Sequence, residues 1–251
     1  MKLKYGAFTH RGYIRKTNQD HFYVPDETFL HQSLFMVADG MGGHNAGDIA
    51  SKIAVEAVVD YFSKNNSNDS SCIRKSVFES IKYANSAIFQ FSKTHDRLLG
   101  MGTTLTIACV QNNKAFIGHV GDSRAYVIKY GDIKQITRDH SLVQELYENG
   151  TITKEQMNSH PNRNILTRAL GLEASIEADY YEIAITEGDL LLLCTDGLNL
   201  YVDVTQNIAL FHSGFRIEEI VETLGQKALD AGGADNITIV AARCFGSTEL
   251  R

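Results

Sequence analysis

The chain has 251 residues, of which 43% are hydrophobic and 22% are charged, and its formal net charge is −6. This is the composition of an ordinary globular protein, and an acidic chain without a block of lysine or arginine does not favour nucleic-acid binding. The N-terminus lacks the apolar core of a secretory signal, and no apolar run approaches the about 20 residues of a membrane span. The widely spaced cysteines form no C-x-x-C pair, which favours a reduced compartment. We therefore expect a cytoplasmic protein that binds neither nucleic acid nor a membrane.

The first predicted elements are a strand and two helices. An apolar run at 33–38 ends at Asp39-Gly40, which indicates a strand that stops at a turn. From His44 onward, apolar residues recur at spacings of three and four, which predicts one face of a helix. The same spacing predicts a second helix over about 73–91.

Strand patterns dominate the rest of the chain, interrupted by helices. We predict strands at 103–110, 114–120, 125–128, 133–137, 177–185, 189–195 and 237–243. We predict helices at about 141–149, 153–158, 203–212 and 216–231. Blocks of helices among antiparallel strands predict an α+β fold, a two-sheet antiparallel β-sandwich flanked by α-helices on both sides, in the order α-β-β-α. We treat residues 1–251 as a single domain.

Four aspartates stand beside glycine or asparagine at widely separated points of the chain. They are Asp39 in VADGMGGH, Asp122 in GHVGDSR, Asp196 in TDGL and Asp235 in ADN. In three of the four, an apolar run of strand character leads in or out. Carboxylate and carbonyl oxygens are the ligands of Mg²⁺ and Mn²⁺, and carboxylates gathered without cations would repel one another. The pattern therefore points to metal-assisted hydrolysis.

Each of these motifs has a simpler structural interpretation when taken alone. The glycine-rich segment after Asp39 is also what a tight turn from strand to helix requires, and an Asp-Gly pair is most often a turn. Asp122 with Arg124 could form a hairpin corner with a surface ion pair. Their co-occurrence favours function, because turn chemistry does not demand aspartate at every strand end.

A second signal lies near the N-terminus, in RGYIRKTNQD at 11–20. Arg11 and Arg15 lie four residues apart, and the planar fork of an arginine suits phosphate oxygens. The alternative is a solvated basic turn. With a metal site elsewhere in the chain, phosphate binding becomes the better hypothesis.

The histidines do not define a catalytic group of their own. His44, His119, His140 and His160 lie near motifs, but their spacing supports neither a Ser-His-Asp nor a Cys-His arrangement. The chain therefore offers no obvious covalent nucleophile.

An ordered series of motifs resembles the metal-dependent protein phosphatases of the PPM (PP2C-type) class, in their compact bacterial form. The resemblance covers about residues 5–243. It implies a β-sandwich with helices on both sides and the activity of a protein-serine/threonine phosphatase. The motifs are RGxxRxxNQD (11–20), VADGMGGH (37–44), GTT (102–104), GHVGDSR (118–124), DHS (139–141), LTRALG (166–171), TDGL (195–198) and DNIT (235–238).

The resemblance also implies a centre for two Mn²⁺ or Mg²⁺ ions at one end of the sandwich. Asp39 would bridge both ions, while Asp196 and Asp235 would complete the first site. The carbonyl of Gly40 would join Asp39 at the second site. Asp122 would contribute to a third, weaker site.

Two further residues and one segment receive roles from the same resemblance. Asp20 would hold water bound to the metal, and Arg15 would grip the substrate phosphate. Residues 141–165 match the mobile flap beside the cleft. A water bridging the two ions would attack phosphorus directly, so no phosphoenzyme is needed.

The chain departs from the family pattern at two places. Met41 stands where eukaryotic relatives carry the histidine proposed as general acid, and a thioether cannot donate a proton. Asn199-Leu200 follows TDGL where many relatives have another aspartate, which weakens the case for the third metal site.

The partners implied are phosphorylated proteins, with a eukaryotic-like bacterial Ser/Thr kinase as counterpart, and the chain is expected to act as a monomer. Three alternatives remain at this point: a pseudophosphatase that only binds, a regulatory phosphatase dedicated to one partner, and an enzyme for nucleotides or small phosphate esters. The intact acids argue against the first, and the lack of a sensor or membrane domain argues against the second. The third finds no GxxxxGK loop in its support.

Overall fold

A computed structural model describes residues 2–25, 33–42, 46–65, 70–212 and 214–246, with only the backbone described at 70–72 and 158. Gly43 and His44, where the first helix was predicted to open, lie outside the described residues. The strands are β1 (Lys2–His10), β2 (Asp20–Tyr23), β3 (Leu34–Met41), β4 (Gly102–Thr103), β5 (Leu105–Gln111), β6 (Lys114–Val120), β7 (Arg124–Lys129), β8 (Asp132–Gln135), β9 (Asp179–Ala184), β10 (Leu190–Cys194) and β11 (Ile237–Phe245). The helices are α1 (Ala46–Lys64), α2 (Ser70–Lys93), α3 (Leu142–Glu148), α4 (Lys154–Ser159), α5 (Asp196–Asn199) and α6 (Ile217–Asp230).

The strands form two antiparallel sheets. The first sheet has the order β1-β11-β10-β7-β8, and the second has the order β2-β3-β5-β6-β9 with β4 paired to β3. Every strand pair is antiparallel. Residues 34–38 of β3 form a continuous apolar run, because alternate side chains point to opposite faces of the sheet and both faces are buried here.

Three layers of apolar contacts hold the sandwich together. Phe35, Val37 and Leu193 belong to the core between the two sheets, whereas Leu34 and Met36 point outward and pack in the core that α1 and α2 share with the second sheet. α6 covers the outer face of the first sheet in a third core. The arrangement confirms the predicted α-β-β-α sandwich.

The predicted helix at 203–212 is wrong in type. The segment forms two 3₁₀ turns, Val204–Gln206 and Ile208–Phe211. The side chain of Asp203 accepts a hydrogen bond from the Thr205 N–H, and Asn207 donates to the Asp203 carbonyl. These local hydrogen bonds compete with helix continuation.

Three elements near the site were not predicted, namely β1, β2 and α5. β1 is an edge strand in which only Gly6 is fully buried, so it carries no continuous apolar run. The predicted strand at 103–110 is divided at Thr104, where the chain turns toward Asp39. Cys109 and Cys194 are buried free thiols.

Among the described residues, no helix combines the length and apolar character needed to cross a membrane.

Candidate metal centre

The aspartates singled out in the sequence lie together at one end of the sandwich. A pocket of about 210 Å³ is lined by Asp39, Asp122, Asp196 and Asp235; we call it the aspartate pocket. Asp39 lies near the end of β3 and Asp122 follows β6, both in the second sheet, whereas Asp196 follows β10 and Asp235 precedes β11 in the first. Both sheets therefore contribute acids to one cleft. The other lining residues are Arg15, Gln19, Gly40, Met41, Gly42, Thr104, Asn164, Leu166 and Asn236.

Glycines beside the acids allow the backbone segments to approach one another. A Cβ on Gly197 would lie 1.9 Å from the carbonyl oxygen of Asn236, so only glycine lets α5 pack against the turn that carries Asp235. A Cβ on Gly40 would likewise lie 2.0 Å from the Gly47 carbonyl oxygen. The glycines of the Asp-Gly pairs are thus required by close packing around the site as well as by the turns.

Asp20 is buried and does not line the aspartate pocket; it lies opposite Asp39 in the pairing of β2 with β3. Its Oδ2 accepts a hydrogen bond of 2.8 Å from the Thr195 hydroxyl, while its buried Oδ1 has no partner. Burial, with smaller contributions from Asp196 and Asp235, raises the pKa of Asp20 to about 7.

The acids of the pocket raise one another's pKa in addition to the effect of burial. Burial is the main cause for Asp39, whose pKa lies well above its usual value, and Asp20 and Asp196 raise it further. The pKa of Asp122 is also well above its usual value, through burial and Asp196. Burial and Asp235 raise the pKa of Asp196 to about 6, and its Oδ1 is buried without a hydrogen-bond partner. Buried carboxylate oxygens without donors are a fit for hard cations.

The acids line one pocket, but their side chains do not converge on a single point as the ligands of a bound metal ion do. Among the described residues, no group of three or more His, Cys, Asp or Glu side chains is arranged to hold a metal ion as it stands. The acids are nevertheless close to one another, because they line the same pocket and each raises the pKa of its neighbours.

Arg15 and Arg11 have different surroundings. Arg15 lines the aspartate pocket and donates from Nη2 to Asp235 Oδ2 at 2.7 Å. That hydrogen bond is the main cause of its raised pKa. Arg11 instead donates to the Lys16 carbonyl and lies away from the pocket lining.

Asp122 is not part of a surface ion pair with Arg124. Arg124 forms a bidentate pair with Asp139, with Nη2 to Oδ2 at 2.7 Å and Nε to Oδ1 at 3.0 Å. Asp122 lines the aspartate pocket, and β6 and β7 on either side of it belong to different sheets, so the hairpin-corner interpretation of GDSR is wrong.

Thr104 and Asn236 organise the site, although the sequence analysis gave neither a role. The Asp39 N–H donates to Thr104 Oγ1 at 2.8 Å, and the Thr104 and Ser123 hydroxyls share a hydrogen bond of 2.8 Å. Asn236 donates to the carbonyls of Arg11 and Thr17. Their presence in the GTT and DNIT motifs was the available signal.

The two departures from the family pattern have defined positions. Met41 lines the aspartate pocket. Asn199 points instead to Tyr126 and Cys194: its Oδ1 accepts from the Tyr126 hydroxyl at 2.7 Å and its Nδ2 donates to Cys194 Sγ.

Comparisons with known proteins agree with this geometry. The family model described as Protein phosphatase 2C matches residues 14–231. The chain belongs to the protein phosphatase 2C family. The prediction of the PPM class, and of the enzyme class of a serine/threonine phosphatase, is confirmed.

Individual relatives extend over almost the whole chain. The chain is 39% identical over 233 residues to the serine/threonine phosphatase stp of Listeria monocytogenes, covering 92% of each chain. It superimposes on the crystal structure of the Mycobacterium tuberculosis serine/threonine phosphatase PstP/Ppp with a TM-score of 0.89, 33% identity and coverage of 98% of this chain and 100% of that one. A structure of the PstP catalytic domain in complex with two manganese ions matches with a TM-score of 0.86 and 33% identity, covering 97% of this chain and 99% of that one.

Proposed function

We propose that this member of the family is a metal-dependent enzyme that hydrolyses phosphoserine and phosphothreonine in proteins. The observation that carries the proposal is the aspartate pocket, in which four half-buried aspartates lie beside an arginine and one of them, Asp196, has a buried oxygen without a hydrogen-bond partner. The two manganese ions in the PstP catalytic domain support it.

The residues proposed to hold the metal are those predicted from the sequence. Asp39, Asp196 and Asp235, together with the Gly40 carbonyl, would hold two Mn²⁺ or Mg²⁺ ions, and Asp122 a third. All of these donors are oxygens, which suit these ions. When bound, divalent ions make hydroxide available near neutral pH and offset the charge of the phosphoryl oxygens.

Arg15 is proposed to bind the substrate phosphate. Its side chain is 51% exposed, so the guanidinium can leave Asp235 and meet an incoming phosphate through two parallel hydrogen bonds. A cation at Asp235 would weaken the present ion pair and favour that exchange.

Asp20 is proposed to orient water from its position opposite Asp39. Thr195 fixes one of its oxygens and leaves the other without a partner. Met41 carries no proton to donate, so protonation of the leaving oxygen falls to another group.

The segment 141–165 is proposed as a flap beside the pocket in a single domain that spans residues 1–251. It contains α3 and α4, and Asn164 at its end lines the aspartate pocket. The enzyme is further proposed to act as a cytoplasmic monomer that reverses a eukaryotic-like bacterial Ser/Thr kinase.

The decisive experiment is release of inorganic phosphate from a phosphothreonine peptide with Mn²⁺, with Mg²⁺ and with EDTA. We expect release with metal and none with EDTA. A folded protein that releases no phosphate with either metal would overturn the proposal in favour of a binding module.

A further inference from the structure

Gly121, the residue before Asp122, is held on both sides by His140. The Gly121 N–H donates to His140 Nδ1 at 3.1 Å, and the His140 N–H donates to the Gly121 carbonyl at 2.7 Å. Gly121 has φ of +110°, and a Cβ there would lie 2.5 Å from Thr104 Cγ2. The backbone at this position is therefore unusual and closely packed, and His140 satisfies both of its polar groups.

The ring of His140 is itself fixed from the other side. The imidazole is fully buried, and its Nε2 lies 3.3 Å from Asp179 Oδ2. Asp179 is in turn held by Arg168 Nη1 at 2.9 Å and by the Tyr181 hydroxyl at 3.1 Å. Because Nδ1 accepts the Gly121 N–H, the neutral ring must carry its proton on Nε2, where it can donate to Asp179.

The Gly121–Ser123 turn is tied at its far end as well, through the hydrogen bond between the Ser123 and Thr104 hydroxyls. Asp122 lies between these two anchors and is half-buried, with Asp196 and Asp139 as its acidic neighbours. Repulsion among neighbouring carboxylates favours movement of such a side chain further out to water. A rigid backbone on both sides opposes that movement.

We propose that His140 is a positioning residue that fixes Gly121 and thereby keeps the Asp122 carboxylate in the aspartate pocket, with Asp179 fixing the His140 ring. The inference rests on the metal role proposed above for Asp122. The proposal assigns a role to His140 of the DHS motif, which has no part in the chemistry proposed above.

The test compares two substitutions of similar size in the metal-free protein. In His140→Asn the Oδ1 can take the place of Nδ1 and accept the Gly121 N–H, whereas His140→Leu has no acceptor. In His140→Leu the Gly121 N–H loses its buried acceptor, so we expect its hydrogen exchange to be at least about tenfold faster than in the wild type. In His140→Asn we expect exchange at Gly121 near the wild-type rate.

Exchange at Leu192, in the central strand β10, is the internal reference. A general loss of stability would speed exchange at both amides, whereas loss of positioning speeds it at Gly121 alone. Equal acceleration at Leu192 and Gly121, or unchanged exchange at Gly121 in the leucine variant, would overturn the proposal.

The ring itself provides an independent readout. Imidazole ¹⁵N NMR of the wild type should show His140 as the neutral tautomer protonated on Nε2, and Asp179→Leu should speed exchange at Gly121 by less than His140→Leu does. A ring protonated on Nδ1 contradicts the mechanism, and unchanged exchange in Asp179→Leu removes Asp179 from it.

The connection to the metal is tested last. The Mn²⁺ concentration for half-maximal phosphate release should rise in His140→Leu and stay near wild type in His140→Asn. If the wild type releases no phosphate, the proposed function fails while the exchange and NMR results still decide the positioning. If the wild type is active and Gly121 is unaffected by the leucine substitution, the positioning fails alone.

Discussion

Arg15 Nη2 lies 2.7 Å from Asp235 Oδ2, so the arginine proposed to bind phosphate is paired with an acid proposed to bind metal. The two residues are 220 positions apart in the chain. Their side chains are 51% and 24% exposed, and an ion pair this accessible contributes at most about 1 kcal/mol. The pair is therefore easily exchanged when a cation reaches Asp235 and a phosphate reaches Arg15.

Arg15→Ala should weaken substrate binding more than turnover. Removing the fork that binds phosphate should raise KM for a phosphothreonine peptide by about tenfold and change kcat by less than about threefold. The assay is steady-state kinetics at saturating Mn²⁺. Arg11→Ala is the matched control, since Arg11 lies away from the pocket, and its KM should match the wild type. An unaltered KM in Arg15→Ala would remove Arg15 from phosphate binding.

Asp39→Asn should abolish metal-dependent turnover. Loss of the acid proposed to hold both ions should lower kcat by about 1,000-fold or more. Mn²⁺ should raise the melting temperature of the metal-free wild type, because it binds the folded state, and should do so much less in the variant. Asp132→Asn, which alters an exposed acid on the β7–β8 hairpin, serves as control for both measurements. Activity near wild type in Asp39→Asn would be incompatible with the proposed bridging role.

Gly197→Ala should disturb the site without altering any acid. Its methyl group would meet the Asn236 carbonyl oxygen at 1.9 Å and force α5 away from the turn that carries Asp235. We expect a loss of about 1–3 kcal/mol in the free energy of unfolding, as for other overpacked positions, together with weaker Mn²⁺ binding by calorimetry. At Gly214 an added Cβ has nothing within 4 Å, so Gly214→Ala should behave like the wild type. Unchanged stability and metal affinity in Gly197→Ala would show that the close approach is dispensable.

His119 should make the protein sensitive to acid. Burial, followed by the nearby His140, lowers the pKa of His119 to about 3, compared with its usual 6.5. Between these values the unfolded chain binds a proton at His119 that the folded protein does not. The contribution of His119 to the free energy of unfolding is therefore fully present above about pH 6.5 and decreases as the pH falls. Each pH unit in this range should remove about 1 kcal/mol. The raised pKa values of Asp20 and Asp196 act in the opposite direction in both proteins, so the comparison is between the wild type and His119→Asn. In urea unfolding in EDTA, lowering the pH from 7 to 5.5 should change the free energy of unfolding less favourably in the wild type than in His119→Asn; equal changes would mean that His119 does not titrate in this way.

Local sequence patterns predicted most of the sandwich, because apolar residues recur at regular spacings in its central strands and in the helices that cover them. The core-facing sides of the helices carry apolar residues at spacings of three and four. Residues 34–38 of β3 and all of β10 are continuously apolar. Weakly patterned pieces escaped prediction. β1 and β2 are edge strands with half-buried residues, and α5 has only four residues. At 203–212 apolar spacing resembled a helix, but Asp203 and Asn207 formed local hydrogen bonds instead.

The sequence by itself determined which residues could form the site, since an acid beside glycine at a strand end has a recognisable local chemistry. Only the tertiary structure determined which of these residues contact one another. It placed Asp20 opposite Asp39, turned Arg124 to Asp139 rather than to Asp122, and brought His140 onto Gly121. These pairings depend on the order and register of strands that are distant along the chain, and the spacing of residues within one segment carries no information about that order.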